Sequence, residues 1–142
     1  MSPELDKELC EKYPKIFKNR DGSIMQTCMA WGFECGDGWY NVIDTLCSEI
    51  QHYVDFKSRD LSEEEKQSFQ VVAEQVKEKF GTLRFYFYGG DETVEGMVSM
   101  AESITRKICE DCGNVGKHRT KGWHKVVCEP CEEKRKNLAN RI

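Results

Sequence analysis

No apolar run in the chain approaches the roughly 18–20 residues that a bilayer span requires, so no membrane-spanning helix is expected. The opening residues, Met1-Ser2-Pro3-Glu4-Leu5-Asp6-Lys7-Glu8, have neither the basic start nor the apolar stretch of a secretory signal. Paired carboxylates, a nucleophile elbow and an open-site metal pattern are all missing. The glycine-rich stretch Gly32 to Gly38 matches neither the dinucleotide fingerprint nor the phosphate-binding loop of nucleotide hydrolases. The expected protein is therefore not an enzyme. One further absence is local: the residues between Cys112 and Cys128 include Lys117, His118, Arg119, Lys121, Trp123, His124 and Lys125, and no acid.

What the chain does have is cysteine. Cys109-Glu110-Asp111-Cys112 and Cys128-Glu129-Pro130-Cys131 are two Cys-x2-Cys pairs separated by fifteen residues. That spacing can wrap four thiolates around one Zn²⁺, and a site that takes all four ligands from protein leaves no position open for water or substrate. The metal is expected to be structural. Without an export signal the eight cysteines read as reduced thiols, which places the protein in a cytoplasm. Cys10, Cys28, Cys35 and Cys47 lack paired spacing and read as buried thiols; a second metal site, or a Cys nucleophile with His52 as base, stays open. His118 or His124 in place of a cysteine ligand is an alternative, but four thiolates already suffice.

With 142 residues and seven Phe, five Tyr and three Trp, the chain can bury a real core. Its formal charge of −4 is uneven: residues 1–107 hold 20 Asp and Glu against 13 Lys and Arg, whereas residues 108–142 hold 5 against 8. The basic end is the cysteine end, although four thiolates around Zn²⁺ offset much of that excess.

In chain order, residues 3–17 suggest a short helix broken by Pro14, then a turn around Asp21-Gly22. Ile24 to Trp31 reads weakly as extended. The loop Trp31-Gly32-Phe33-Glu34-Cys35-Gly36-Asp37-Gly38-Trp39 precedes the clearest helix, whose stripe Val42, Ile43, Leu46, Cys47, Ile50, Tyr53, Val54 keeps helical spacing, with Asp37 as its cap. The loop is either a tight turn with core tryptophans or a ligand loop that includes Trp39. Ser62 and Glu65 form a capping box that starts a helix over 62–69. Val71 to Lys79 and Leu83 to Tyr88 read as a hairpin turning near Phe80-Gly81-Thr82. Alternation puts Leu83, Phe85 and Phe87 on a core face and Arg84, Tyr86 and Tyr88 opposite. A further helix carries Val94, Met97, Val98, Ala101, Ile104 and Ile108 inward and leads into Cys109.

The expected fold class is α+β, with helices packed on a small antiparallel sheet (residues 1–107) and a C-terminal treble-clef-like zinc module built on four cysteines (108–142). In the module, Cys109 to Gly113 forms a knuckle, Gly116 to Val127 a hairpin and Glu132 to Leu138 a helix. Cationic and aromatic side chains recur on two surfaces. Lys77, Lys79, Arg84 and Tyr86 of the hairpin suit a stacked base and a held phosphate, and so do Arg119 and Lys121 of the module. Cross-strand pairing to Glu74 and Glu78, and cations offsetting the thiolate charge, are the competing explanations.

The Thr27 to Trp39 segment, Gln75-Val76-Lys77-Glu78-Lys79-Phe80-Gly81-Thr82-Leu83-Arg84-Phe85-Tyr86 and the cysteine pairs together resemble a family of small phage and prophage proteins. The resemblance covers about two thirds of the chain. It implies viral origin and action in a bacterial host cytoplasm, with no activity or catalytic residue to carry over. The expected function, read from the cationic and aromatic surfaces, is non-enzymatic binding of a nucleotide or nucleic acid; action against host defence is what analogy with other small phage proteins implies. The alternative is a protein-binding inhibitor that meets a host enzyme through its acidic N-terminal region. A homo-oligomer is left open.

Overall fold

The structure is a computed structural model and describes residues 1–141. The protein is α+β. Helix α1 (Pro3–Lys12) starts at a Ser2 cap and stops before Pro14. A turn region and a short 3-10 segment (Cys28–Trp31) follow, leading to strand β1 (Phe33–Glu34). The weakly extended reading of Ile24 to Trp31 is thus corrected. Thr27 accepts a hydrogen bond from Met29 N–H and caps a helical turn there instead.

Helix α2 (Tyr40–Ser58) carries the apolar stripe expected of it, with Ile43, Leu46, Cys47, Ile50 and Val54 buried. Its entry is a 3-10 turn over Asp37–Trp39, and the helix has no side-chain cap. Asp37 is not that cap: its carboxylate accepts from Ser2 N–H at 2.7 Å and ties α1 to the loop. In helix α3 (Glu63–Phe69) Ser62 caps the helix as the sequence indicates, its Oγ accepting from Glu65 N–H, while the Glu65 carboxylate accepts from the Ser62 hydroxyl rather than from its backbone N–H.

Strands β2 (Val72–Lys79) and β3 (Thr82–Tyr88) make the expected hairpin, antiparallel and turning at Phe80-Gly81. The sheet is mixed rather than purely antiparallel, because β1 joins the free edge of β2 in parallel, Phe33 opposite Val76. Two residues of β1 are too few to announce a strand by alternation. A β-bulge between Ala73 and Gln75 fits Glu74 as an extra residue.

Helix α4 (Glu92–Ile104), capped by Asp91, buries Val94, Val98 and Ala101. It also closes the exposed edge of β3: Phe85 N–H donates to Glu102 Oε2 at 2.9 Å and Leu83 N–H to Thr105 Oγ1 at 3.1 Å. Edge donors satisfied in this way offer no template to another strand. Ile104 is half-exposed, against the inward placement its spacing suggested, because the helix ends there.

The core joins Leu9, Ile16, Phe17 and Met29 of the N-terminal segment to α2, α4 and the inner face of the sheet, where Val76, Leu83 and Phe85 lie. Each such side chain contributes about 1.5–3 kcal/mol on full burial. An ion pair of Arg20 with Asp6 at 3.0 Å pins the N-terminal segment, and the same guanidinium donates to Ala30 C=O. Strands β4 (Lys117–Arg119) and β5 (Lys125–Val127) and helix α5 (Glu129–Ala139) complete the chain. Among the described residues, no helix is long and apolar enough to cross a membrane.

Candidate functional site

The C-terminal elements converge on sulfur. The Sγ atoms of Cys109, Cys112, Cys128 and Cys131 all lie within 4.8 Å of one another, and Cys112 and Cys128 are 3.7 Å apart. Four sulfurs about 2.3 Å from a central zinc would stand about 3.8 Å from each other, so the cluster has the size of a tetrahedral four-thiolate metal site. Local structure builds it. Gly113, at φ +83°, lets the chain curl so that its N–H donates to Cys109 C=O at 2.9 Å. Cys128 ends β5 and opens α5, with Pro130 in the first helical turn. Burial works against the Cys109 thiolate, yet the backbone N–H groups of Cys128, Cys112 and Asp111 outweigh it and bring that thiol down to about 7. Knuckle, hairpin and helix follow in treble-clef order, and the cluster can hold a metal ion.

The glycine-rich loop has a structural task. Gly38 N–H donates to Glu110 C=O at 2.8 Å, Gly36 N–H to Glu110 Oε2 at 2.9 Å, and Trp39 Nε1 to Ile108 C=O at 3.0 Å. A β-carbon at Gly36 would overlap the Glu110 carbonyl oxygen, and one at Gly38 the Cys109 carbonyl oxygen. The loop is therefore a clamp on the cysteine knuckle, more than 70 residues away in sequence. Trp39, a candidate ligand residue on sequence grounds, is fully buried and presents no face to a ligand. Its neighbour Trp31 is exposed.

Lys77, Lys79 and Arg84 share the outer face of the hairpin, with Lys77 directly opposite Arg84. None forms an ion pair among the described residues. Glu78 sits on the other face, opposite Leu83, where its carboxylate accepts from Gly81 N–H at 3.2 Å. The pairing that would have neutralised the lysines does not form. Tyr86 lies on the same outer face, farther along β3, and lines a separate concavity with Tyr88, Gln75 and Cys28.

The module's cations divide. Arg119 is engaged within the module, its guanidinium 2.9 Å from Glu129 and donating to Val127 C=O. Lys125 pairs with Asp111 at 2.8 Å. Both cations therefore meet carboxylates and not the sulfurs. Lys121 stays exposed in the β4–β5 turn. His118 and His124 face each other, ring centres 5.3 Å apart, and neither belongs to the sulfur cluster.

The hairpin and the module meet at one groove. Lys77, Glu78, Lys79 and Phe80 of the hairpin face Gly122, Trp123 and His124 of the module across about 330 Å³. Phe80 and Trp123 are 68% and 74% exposed, and the Phe80 ring lies 6.3 Å from that of His124. The exposure of Phe80 beside this groove is missed by reading it only as a turn residue of the hairpin. Its signal was a bulky aromatic immediately before glycine in a two-residue turn, where asparagine or aspartate is the usual occupant.

No family model, curated protein or solved structure matches the chain. The chemistry of the site therefore rests on its own geometry.

Cysteines outside the cluster are free. Burial pushes the Cys35 thiol up to about 12 and that of Cys47 well above its ordinary value. Cys10 also rises to about 12, first through burial and then through Asp6. Cys28 alone among these four is exposed. His52 is exposed on α2 while Cys47 is fully buried, so that pair is not placed to act together.

Proposed function

We propose that this protein is a zinc-stabilised, non-enzymatic binder of a nucleotide or nucleic acid, and that the groove between the β2–β3 turn and the β4–β5 turn receives it. The observation that carries the reading is the convergence of two exposed rings, Phe80 and Trp123, with the unpaired cations Lys77 and Lys79. A ring face suits any base, and a lysine suits a phosphate. Zinc suits the cluster because four thiolates at this separation match its preferred tetrahedral ligation. The metal is structural in this reading: it holds the module that forms one wall of the groove. The resemblance to phage and prophage proteins supports action inside a bacterial host, against a nucleotide signal or nucleic acid of its defence.

Fluorescence anisotropy with labelled oligonucleotides tests the binding. Affinity should fall steeply with added salt, with a log–log slope of about −0.7 per phosphate held on a single strand. The double variant Lys77→Ala/Lys79→Ala should lose binding while its unfolding midpoint stays close to that of the parent. Normal binding by that variant would refute the reading.

A second reading, a protein-binding inhibitor, draws on an apolar groove between α2 and α4 lined by Val42, Met97, Met100 and Ile104 within the acidic part of the chain. Recovery of one host protein after nuclease treatment, abolished by Met100→Lys, would favour it over the first.

A further inference from the structure

The outer face of the sheet extends beyond the groove, and we infer that it is a track for single-stranded nucleic acid rather than a pocket for one free nucleotide. The inference rests on the binding reading above and makes its ligand specific. Three observations carry it.

First, aromatic rings stand at both ends of the face. Phe80 and Trp123 mark one end, and Tyr86 and Tyr88, 41% and 45% exposed, mark the other. Second, the surface between them is cationic: Lys77 and Arg84 lie opposite each other, with Lys79 nearer the turn. The concavity at the tyrosine end, about 520 Å³, is lined instead by Asn19, Gln26, Gln75 and Glu74. Amide and carboxylate groups read base edges, whereas lysine and arginine hold phosphates. The face therefore divides into a backbone-holding middle and a base-reading end. The acids nearby, Glu34 beside Lys77, Glu74 at the bulge and Glu78 in the groove, flank the cations without forming an ion pair with them.

Third, Phe80 has φ +53°, the one non-glycine residue with positive φ among those described. A side chain in that conformation is strained, and strain retained under an exposed ring points to use of the ring. With Gly81 at φ +83°, the turn projects Phe80 toward the module.

Length decides between one nucleotide and several. From Thr82 to Tyr88 the strand rises about 20 Å. That distance corresponds to about six stacked nucleotides at ~3.4 Å each, and to fewer in an extended strand. One nucleotide reaches one end only.

The experiment compares a mononucleotide with oligonucleotides of two to ten residues on the intact, metal-loaded protein. Affinity should climb with length to about four to six residues and then level off. Tyr86→Ser/Tyr88→Ser should weaken a hexamer about tenfold or more, and by a larger factor than it weakens a mononucleotide. Phe80→Ser should weaken both. A hexamer bound no more tightly than a mononucleotide would overturn the track and leave the binding reading standing. Absence of binding to either would overturn both. The length series uses only the parent protein, so a variant that folds poorly does not blunt it.

Discussion

Gly38 shows how much one missing atom can determine. Its Cα lies against the backbone of Cys109 and Glu110, so the loop and the cysteine knuckle meet only because no β-carbon intervenes. Gly38→Ala should cost about 2–3 kcal/mol through forced separation of the two backbones, read as a lowered denaturation midpoint. A change within ~0.5 kcal/mol would mean that the contact is not tight. Asp91 is a second such residue. Its carboxylate accepts from the Tyr53 hydroxyl at 2.6 Å and from Thr93 and Val94 N–H, and the tyrosine bond is the first reason its pKa is lowered. A depressed folded pKa means that the contribution is complete above the ordinary value of 3.8 and is lost as pH falls below it toward the folded value. Asp91→Ala should cost about 1–2 kcal/mol at neutral pH, and the difference from the parent should shrink in acid. Denaturation curves at pH 7 and pH 3 check both the size and the sign.

Among the elements, the β2–β3 hairpin was the most legible in sequence and yet held the least expected feature. Alternation of Leu83, Phe85 and Phe87 against Arg84, Tyr86 and Tyr88 is a local pattern, so the strand and its two faces follow from it directly. The capping box at Ser62 is equally local, and α3 starts where it indicates. Strand β1 and the clamp were not legible, because a two-residue parallel pairing and a contact between Gly38 and Glu110 depend on chain segments far apart. The Asp37 cap failed for a related reason: Ser2 N–H competes for its carboxylate from a distant helix. The turn itself offers a test of opposed demands. Phe80→Asn should relieve the positive-φ strain and raise stability by about 1 kcal/mol, since asparagine tolerates that conformation, while oligonucleotide affinity falls. An unfolding curve and a titration on the same sample read the two effects; a drop in both would place Phe80 in the fold alone.

For the molecule as a whole, the cysteine spacing made the four-sulfur cluster legible at once, but not what the module does beyond folding itself. Its hairpin forms one wall of a groove whose other wall belongs to β2, and Trp39 and Glu110 bond the two parts together. Stripping the metal should therefore release that wall. Among the described residues the module buries Cys109, Val126, Val127 and Cys131, too small an apolar group to stay folded alone. Chelation should abolish ligand binding and expose residues 108–141 to protease while most helical signal, which comes from α2 and α4, persists. Native mass spectrometry of the purified protein, paired with elemental analysis and thiol counting, decides the foundation of all this. One zinc per chain and eight free thiols after the metal is released are expected. A metal-free folded protein, or cysteine sulfurs joined as disulfides, would contradict it.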